Sequence, residues 1–78
     1  MPGGRVLRFK IKELIARREF DEGHRITLID IAEATGIHRM TLSKIVNHKG
    51  YSTGTDKLDS LCKYFGCRIE ELVEYLPD

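Results

Sequence analysis

The spacing of small and apolar residues in the middle of the sequence restricts the fold more than any other feature. Ala32 lies four residues before Gly36, and apolar residues follow the glycine at Ile37, Leu42 and Ile45. Two helices joined by a very short turn need a small residue where their backbones approach and a glycine where the chain bends. The spacing therefore predicts a helix-turn-helix, with the first helix ended by Gly36 and the second at about 39–47.

The second helix of this pair has two chemically different faces. At 100° per residue, its apolar residues Leu42, Ile45 and Val46 point one way. The opposite arc carries Met40, Ser43, Lys44 and Asn47, with Arg39 in the first turn. The sequence thus predicts a short polar helix that is held against the core on one side and exposed on the other.

Charge is distributed unevenly along the chain. The net charge is +5 over residues 1–18, −4 over 19–33, +3 over 34–55 and −3 over 56–78, which gives +1 in total. Residues 34–55 contain no acid at all. Because binding a polyanion requires only a local basic face, the near-neutral total does not exclude a nucleic-acid partner.

Apolar periodicity predicts three further helices and no strand. The first helix is expected from Leu7 to near Phe20, with Phe20 and Ile26 closing over helix ends around a turn at 21–25. Thr27 is expected to cap the second helix and Thr55 the fourth, which Gly66 ends. A last short helix is expected over about 69–75. These elements predict an all-α fold of five helices.

Composition limits the other possibilities. Seventy-eight residues, 41% hydrophobic and 32% charged, are typical of one ordinary globular domain. With no apolar run near 18 residues and no secretory signal, we expect a cytoplasmic protein without a membrane partner. Cys62 and Cys67 are interpreted as small buried apolar residues, since their spacing does not match a zinc site. Without a metal cluster, nucleophile elbow or phosphate loop, we expect no enzyme, cofactor or small-molecule substrate.

Two segments resemble a known family. "TLIDIAEATGIHRMTLSKIVN" resembles the helix-turn-helix of the Cro/lambda-repressor-like XRE family of bacterial and phage regulators. "TDKLDSLCKYFGCRIEELVEYLPD" resembles the fourth and fifth helices of small single-domain members. The resemblance covers about 7–78, which we expect to form a single domain after a flexible arm at 1–6. It departs from the family at "REFDEGHRI", which is longer than the usual connection.

The resemblance implies that the third helix enters the major groove of a double-stranded DNA operator. It implies base-reading positions at Arg39, Met40, Ser43 and Lys44. It also implies phosphate-contacting positions at Thr27, Leu28, His38, Thr41, Asn47 and Lys49. The chemistry agrees in part: an arginine fork or a lysine suits the O6 and N7 atoms of guanine, and a methionine suits a thymine methyl. Free amides at the start of a helix suit a phosphate oxygen.

Several alternatives stay open. The basic residues Arg5, Arg8, Lys10 and Lys12 could follow the DNA backbone or form a solvated tail. Loop residues near Tyr51 could touch phosphate or only connect helices. Since one module reads few base pairs, we expect a homodimer on a two-fold site. Val73, Tyr75 and Leu76 could form its interface or belong to the core.

For function, the sequence favours a transcriptional regulator, and in particular a repressor. The alternative is an antitoxin or another protein-interaction module in which DNA binding is secondary. A protein-binding helix is expected to expose contiguous apolar area. The third helix offers only Met40, which favours the DNA-binding interpretation.

Overall fold

The computed structural model describes residues 6–48 and 50–76. Within these ranges the chain forms five helices between two short strands. In chain order the elements are β1 (Val6–Phe9), α1 (Ile11–Glu22), α2 (Leu28–Thr35), α3 (Arg39–Asn47), α4 (Thr55–Phe65), α5 (Ile69–Leu72) and β2 (Val73–Leu76). The five helices agree with the number predicted from sequence.

The expectation of an all-α fold is wrong, because β1 and β2 pair in an antiparallel two-stranded sheet. Val6 lies opposite Leu76 and Phe9 opposite Val73. The ladder continues where Lys10 N donates to Leu72 O at 2.7 Å. Leu7 fits the periodicity of the following helix, so the local pattern could not reveal that its partner is the other end of the chain. The last helix stops at Leu72 rather than near Tyr75, because the residues that follow it pair with β1.

The first helix also differs from the prediction at both ends. It begins at Ile11, not at Leu7, and continues to Glu22, where Gly23 ends it in the left-handed conformation at φ 75°. Ile26 is buried as expected, but Phe20 is 88% exposed and covers nothing. The prediction that Phe20 closes over a helix end is therefore wrong.

One apolar cluster holds the elements together. Each helix contributes at least one side chain with 1% exposure or less, and together these are Ile11, Ile31, Leu42, Ile45, Leu61 and Leu72. Phe9 adds the sheet to the same cluster. Burying a side chain of this kind contributes about 1.5–3 kcal/mol. The two helices of the predicted helix-turn-helix, α2 and α3, thus pack against the same core.

Two predictions about α4 have different outcomes. Gly66 ends the helix as predicted, in the left-handed conformation at φ 62°, but the N-cap is Gly54 and Thr55 is the first helical residue.

Cys62 and Cys67 are free and half-buried rather than fully buried. No helix in the described ranges is long and apolar enough to cross a membrane.

Three of the four basic residues near the start of the chain lie in or beside described elements rather than in an extended arm. Arg8 lies in β1, Lys10 is the N-cap residue of α1, and Lys12 lies in that helix. Arg5 lies outside the described residues, as does the rest of 1–5. Near the other end, Val73 packs against the core, which supports burial as the explanation for that residue.

Candidate nucleic-acid interface

The start of α2 is fixed by a reciprocal cap. Thr27 Oγ1 accepts from Asp30 N at 3.2 Å, and Thr27 N donates to the Asp30 carboxylate at 2.9 Å. This second bond is the main cause that lowers the pKa of the Asp30 carboxyl. Thr27 is therefore the N-cap that the sequence predicted. The amides of Leu28 and Ile29 are in the first turn, where a helix supplies no acceptor for them.

The turn between α2 and α3 is held by a glycine and a threonine. Gly36 has φ 78°, and its N–H donates to Ala32 O at 2.8 Å, as the predicted left-handed helix end requires. Thr35 Oγ1 donates to Ile31 O at 2.7 Å and accepts from Ile37 N at 3.2 Å. One hydroxyl thus links the end of α2 to the residue that enters the core before α3. Sequence reasoning did not identify this role of Thr35.

His38 is the N-cap of α3. Its Nδ1 accepts from Met40 N at 3.0 Å, and its carbonyl accepts from Leu42 N at 3.0 Å. Because an imidazole nitrogen that accepts cannot carry a hydrogen, the hydrogen of the neutral ring lies on Nε2. The cap therefore leaves an exposed donor on the ring at the start of the helix.

The exposed face of α3 matches the predicted arc. Met40 is 60% exposed, and Arg39 and Lys44 are exposed as well. Within 6–48 and 50–76, neither Arg39 nor Lys44 takes part in an ion pair; the described ion pairs join residues outside α3. Two cations on this face are thus left for an external anion.

Three further predicted site residues lie on or beside α3. Thr41 and Ser43 are half-buried, whereas Asn47 is exposed at the last helical position. Asn47 Nδ2 donates to Ser43 O at 2.9 Å and to Ser43 Oγ at 3.3 Å. Lys49 lies outside the described residues. The structure thus brings Met40, Ser43, Lys44 and Asn47 onto one face.

A residue from the start of the chain lies near the C-terminal end of α3. Lys12 of α1 lines a small cleft together with Asn47 and His48 at the end of α3. The sequence placed Lys12 among basic residues of an arm or tail, and it could not show this proximity, because the helices meet only in the folded chain. Lys12 is therefore an additional candidate for contact with an anion bound along α3.

Of the two helices of the helix-turn-helix, α2 and α3, only α2 carries acidic side chains. Asp30 and Glu33 are exposed on that helix, and Asp30 is held in the cap with Thr27. A carboxylate beside the first amides of α2 weakens their attraction for a phosphate. The electrostatic preference for an anion is therefore stronger at α3 than at the start of α2.

Comparison with known proteins agrees with this geometry. The family model described as "Cro/C1-type HTH DNA-binding domain" matches residues 10–78. The fold is similar to the crystal structure of the transcriptional regulator VanUg, form II. The TM-score is 0.74 at 20% sequence identity, and the match covers 96% of this chain and 91% of that one. No curated protein sequence matches the chain.

At 20% identity the solved structure supports the fold alone, whereas the family model covers nearly all of the described residues. The predicted helix-turn-helix is present as α2, the turn at Gly36 and α3. The chain belongs to the Cro/C1-type helix-turn-helix DNA-binding domain family.

Proposed function

We propose that this protein is a transcriptional regulator that reads the major groove of a double-stranded operator with α3. The observation that carries the proposal is the exposed, acid-free face of α3, on which Arg39 and Lys44 make no ion pair within the described ranges. An isolated cation on a rigid helix is ready to contact DNA without first breaking an internal bond. Family membership supports the same class of ligand.

Within this proposal, the residues divide by their chemistry. Arg39 and Lys44 donate to guanine acceptors, Ser43 reads a base edge, and Met40 packs on a thymine methyl. The residues that contact phosphate are Thr27, Leu28, His38, Thr41 and Asn47, together with Lys49, which lies outside the described residues. His38 contacts phosphate through its exposed Nε2–H. Leu28 contacts phosphate through its backbone amide, because the Leu28 side chain packs against the core. We add Lys12 as a phosphate contact because it lies beside the end of α3.

We further propose a cytoplasmic repressor that acts by occupying its operator as a homodimer. A single module of this kind contacts few base pairs, so useful affinity needs two copies on half-sites about one helical turn apart. Tyr75, which is 60% exposed in β2, is a candidate for the interface between the copies.

The test begins with selection of bound duplexes from a random pool, followed by mobility shifts at two salt concentrations. We expect a selected half-site and an affinity that falls steeply with salt, because each neutralised phosphate releases a counterion. The control is Lys63→Ala, which removes an exposed cation of α4 that is paired with Asp59 at 3.1 Å. If no sequence is enriched, or if salt has no effect, the proposal is overturned.

One observation favours a second candidate function, that of a protein-interaction module. Phe20 is 88% exposed on α1, a large aromatic side chain for which the described fold offers no cover. The two functions predict opposite mutant effects. If the protein is a regulator, Arg39→Ala weakens DNA binding and Phe20→Ala leaves it unchanged. If it is a protein-interaction module, Phe20→Ala abolishes partner binding and the chain selects no DNA.

A further inference from the structure

The turn between α4 and α5 brings the two cysteines of the chain together. Gly66 ends α4, and its N–H donates to Lys63 O at 3.3 Å, while Cys67 N donates to Cys62 O at 3.0 Å. These two bonds form a Schellman motif, in which side chains at the positions of Cys62 and Cys67 commonly pack against each other. The backbone of the turn therefore sets the distance between the two cysteines.

The same backbone bond limits how far apart the two Cα atoms lie. The bonded atoms, Cys67 N and Cys62 O, are 3.0 Å apart, and each is at most two covalent bonds from its own Cα. The Cα atoms are thus within about 7 Å of each other. A disulfide spans Cα atoms about 4.4–6.8 Å apart. The turn is therefore compatible with a bond between the two sulfurs.

The two thiols also affect each other directly. Burial is the main cause that raises the pKa of the Cys67 thiol, and the neighbouring Cys62 thiol raises this pKa further, partly through a hydrogen bond. Both cysteines are free and both pack against the hydrophobic core. The sulfur atoms are thus side by side in the reduced protein, where a disulfide could join them without moving α4.

A small reagent can reach one of the two thiols from the surface. Cys62 lines a groove of about 600 Å³ along α4, whereas Cys67 is not among the lining residues. Asp56 and Asp59 line the same groove, and their carboxylates repel an anionic reagent. Cys62 is therefore the thiol that reacts first, and an uncharged reagent is the suitable probe.

We propose that Cys62 and Cys67 form a reversible oxidation site, which a low-molecular-weight disulfide converts into an intramolecular disulfide across the turn between α4 and α5. This site is separate from the proposed DNA-reading face, because neither cysteine belongs to α2 or α3. The inference does not depend on the proposed function.

The oxidation takes place in two exchanges. Cys62, as the thiolate, attacks one sulfur of the reagent, whose S–S bond breaks and releases one small thiolate that takes up a proton. Cys67 then loses its proton to water and attacks the Cys62 sulfur, which expels the second small thiol. The two cysteines are oxidised by two electrons in total, and the reagent is reduced to two thiols.

The fold and the disulfide should stabilise each other. The bond restricts the unfolded chain, whereas the folded chain already holds the sulfurs together. By linkage, the factor by which folding favours the disulfide equals the factor by which the disulfide favours folding. The bond also secures the turn before α5, whose Leu72 is fully buried and accepts from Lys10 N at 2.7 Å.

The test equilibrates the purified protein with 2-mercaptoethanol and its uncharged disulfide at several ratios, with and without urea. Remaining thiols are alkylated after an acid quench and counted by mass spectrometry. At a given ratio, we expect the disulfide-to-dithiol ratio of the protein to be about tenfold higher in the folded state than in urea. The isolated oxidised protein should unfold at a higher urea concentration than the reduced protein.

Single substitutions test the order of the two exchanges. Cys67→Ala and Cys62→Ala each keep one thiol, so both should stop at the mixed disulfide with the reagent. This product should form faster in Cys67→Ala, because Cys62 lines the groove. Equal or reversed rates in two variants that circular dichroism shows to be folded would contradict Cys62 as the first thiol to react.

The wild type alone decides the main claim. The inference is overturned if the folded protein forms the intramolecular disulfide no more readily than the chain in urea. It is equally overturned if oxidation gives only mixed disulfides or disulfide-linked dimers. Because these measurements need neither a variant nor DNA, a substitution that disturbs the fold or a failed operator selection leaves the test intact.

Discussion

Arg8 and Glu74 lie opposite each other in the antiparallel sheet, and Arg8 Nε donates to the Glu74 carboxylate at 2.5 Å. The same guanidinium donates through Nη2 to Glu13 at 2.5 Å, in the first turn of α1. Both hydrogen bonds raise the pKa of Arg8 above its ordinary value, and the bond to Glu13 is the larger cause. One side chain thus ties together both strands and the first helix.

We expect Arg8→Ala to lower the melting temperature, and to do so more at low salt than at high salt. The substitution leaves Glu13 and Glu74 without their shared cation, and exposed ion pairs weaken as salt screens them. The control is Arg17→Ala. Arg17 is 3.9 Å from Glu71 and 64% exposed, so its loss should have a smaller effect. Equal losses for the two variants would contradict a special role for Arg8.

The bend before α3 gives a second prediction. Gly36 has φ 78°, and a Cβ added there would meet nothing within 4 Å, so the cost of Gly36→Ala is conformational rather than steric. We expect a loss of about 1–2 kcal/mol in the free energy of unfolding, measured by urea denaturation.

Two further substitutions make this prediction specific. Gly36→Asn should lose less than Gly36→Ala, because asparagine tolerates the left-handed conformation better. At Gly54 the φ angle is −79°, and an added Cβ would meet only the Asp56 carboxylate, at 2.5 Å from its Oδ1. Since that side chain can rotate away, Gly54→Ala should cost less than Gly36→Ala. The reverse order would show that the bend does not depend on glycine.

The cap at His38 gives a third prediction, because it separates a structural effect from a binding effect. His38→Ala should cost about 1 kcal/mol of stability, since it leaves Met40 N without its acceptor. His38→Asn should keep the cap but lose the Nε2–H donor. We therefore expect His38→Asn to retain the wild-type stability and still bind the operator more weakly. If both variants bind as tightly as the wild type, His38 does not contact phosphate.

Base reading and backbone contact can be separated at Arg39 and Lys12. We expect Arg39→Ala to relax discrimination at one base pair, at a cost of about 1–3 kcal/mol in binding free energy. Lys12→Ala should weaken binding to all sequences alike and make the salt dependence shallower. Affinities for the operator and for single-base variants of it measure both effects. A uniform loss for Arg39→Ala would be evidence against base reading.

The helix-turn-helix could be predicted because its signals are local. Thr27 caps α2, Gly36 ends it, and the apolar spacing after the glycine defines the buried side of α3. Each of these residues acts within a few positions of its own place in the chain. The bounds predicted for α3, 39–47, are therefore the observed ones.

The sheet could not be predicted, because its signal is split between the two ends of the chain. Arg8 and Glu74 are 66 residues apart, and neither strand has a partner within its own segment. Leu7 also continues the helical spacing of α1, so the periodicity favours the wrong element. The position of Lys12 beside Asn47 was missed for a related reason: it depends on packing between helices, which no short pattern encodes.

Low pH gives the last prediction. Contact with Thr27 lowers the pKa of the Asp30 carboxyl, and the bond from Arg8 is the main cause that lowers that of Glu13. Since the folded protein prefers both groups ionised, their stabilising contribution is complete above their unfolded pKa values. It is lost as the pH falls through the lowered values.

Thermal unfolding followed from pH 7 to pH 2 tests this. In Asp30→Ala and Glu13→Gln, the melting temperature should already be lower at neutral pH, and it should fall less steeply towards pH 2 than that of the wild type. Asp59→Ala is the control, because this carboxylate is 63% exposed and, among the described residues, pairs only with the exposed Lys63. Its profile should run parallel to that of the wild type. If all three variants kept the acid slope of the wild type, neither the cap of α2 nor the Arg8 cluster would contribute to acid unfolding.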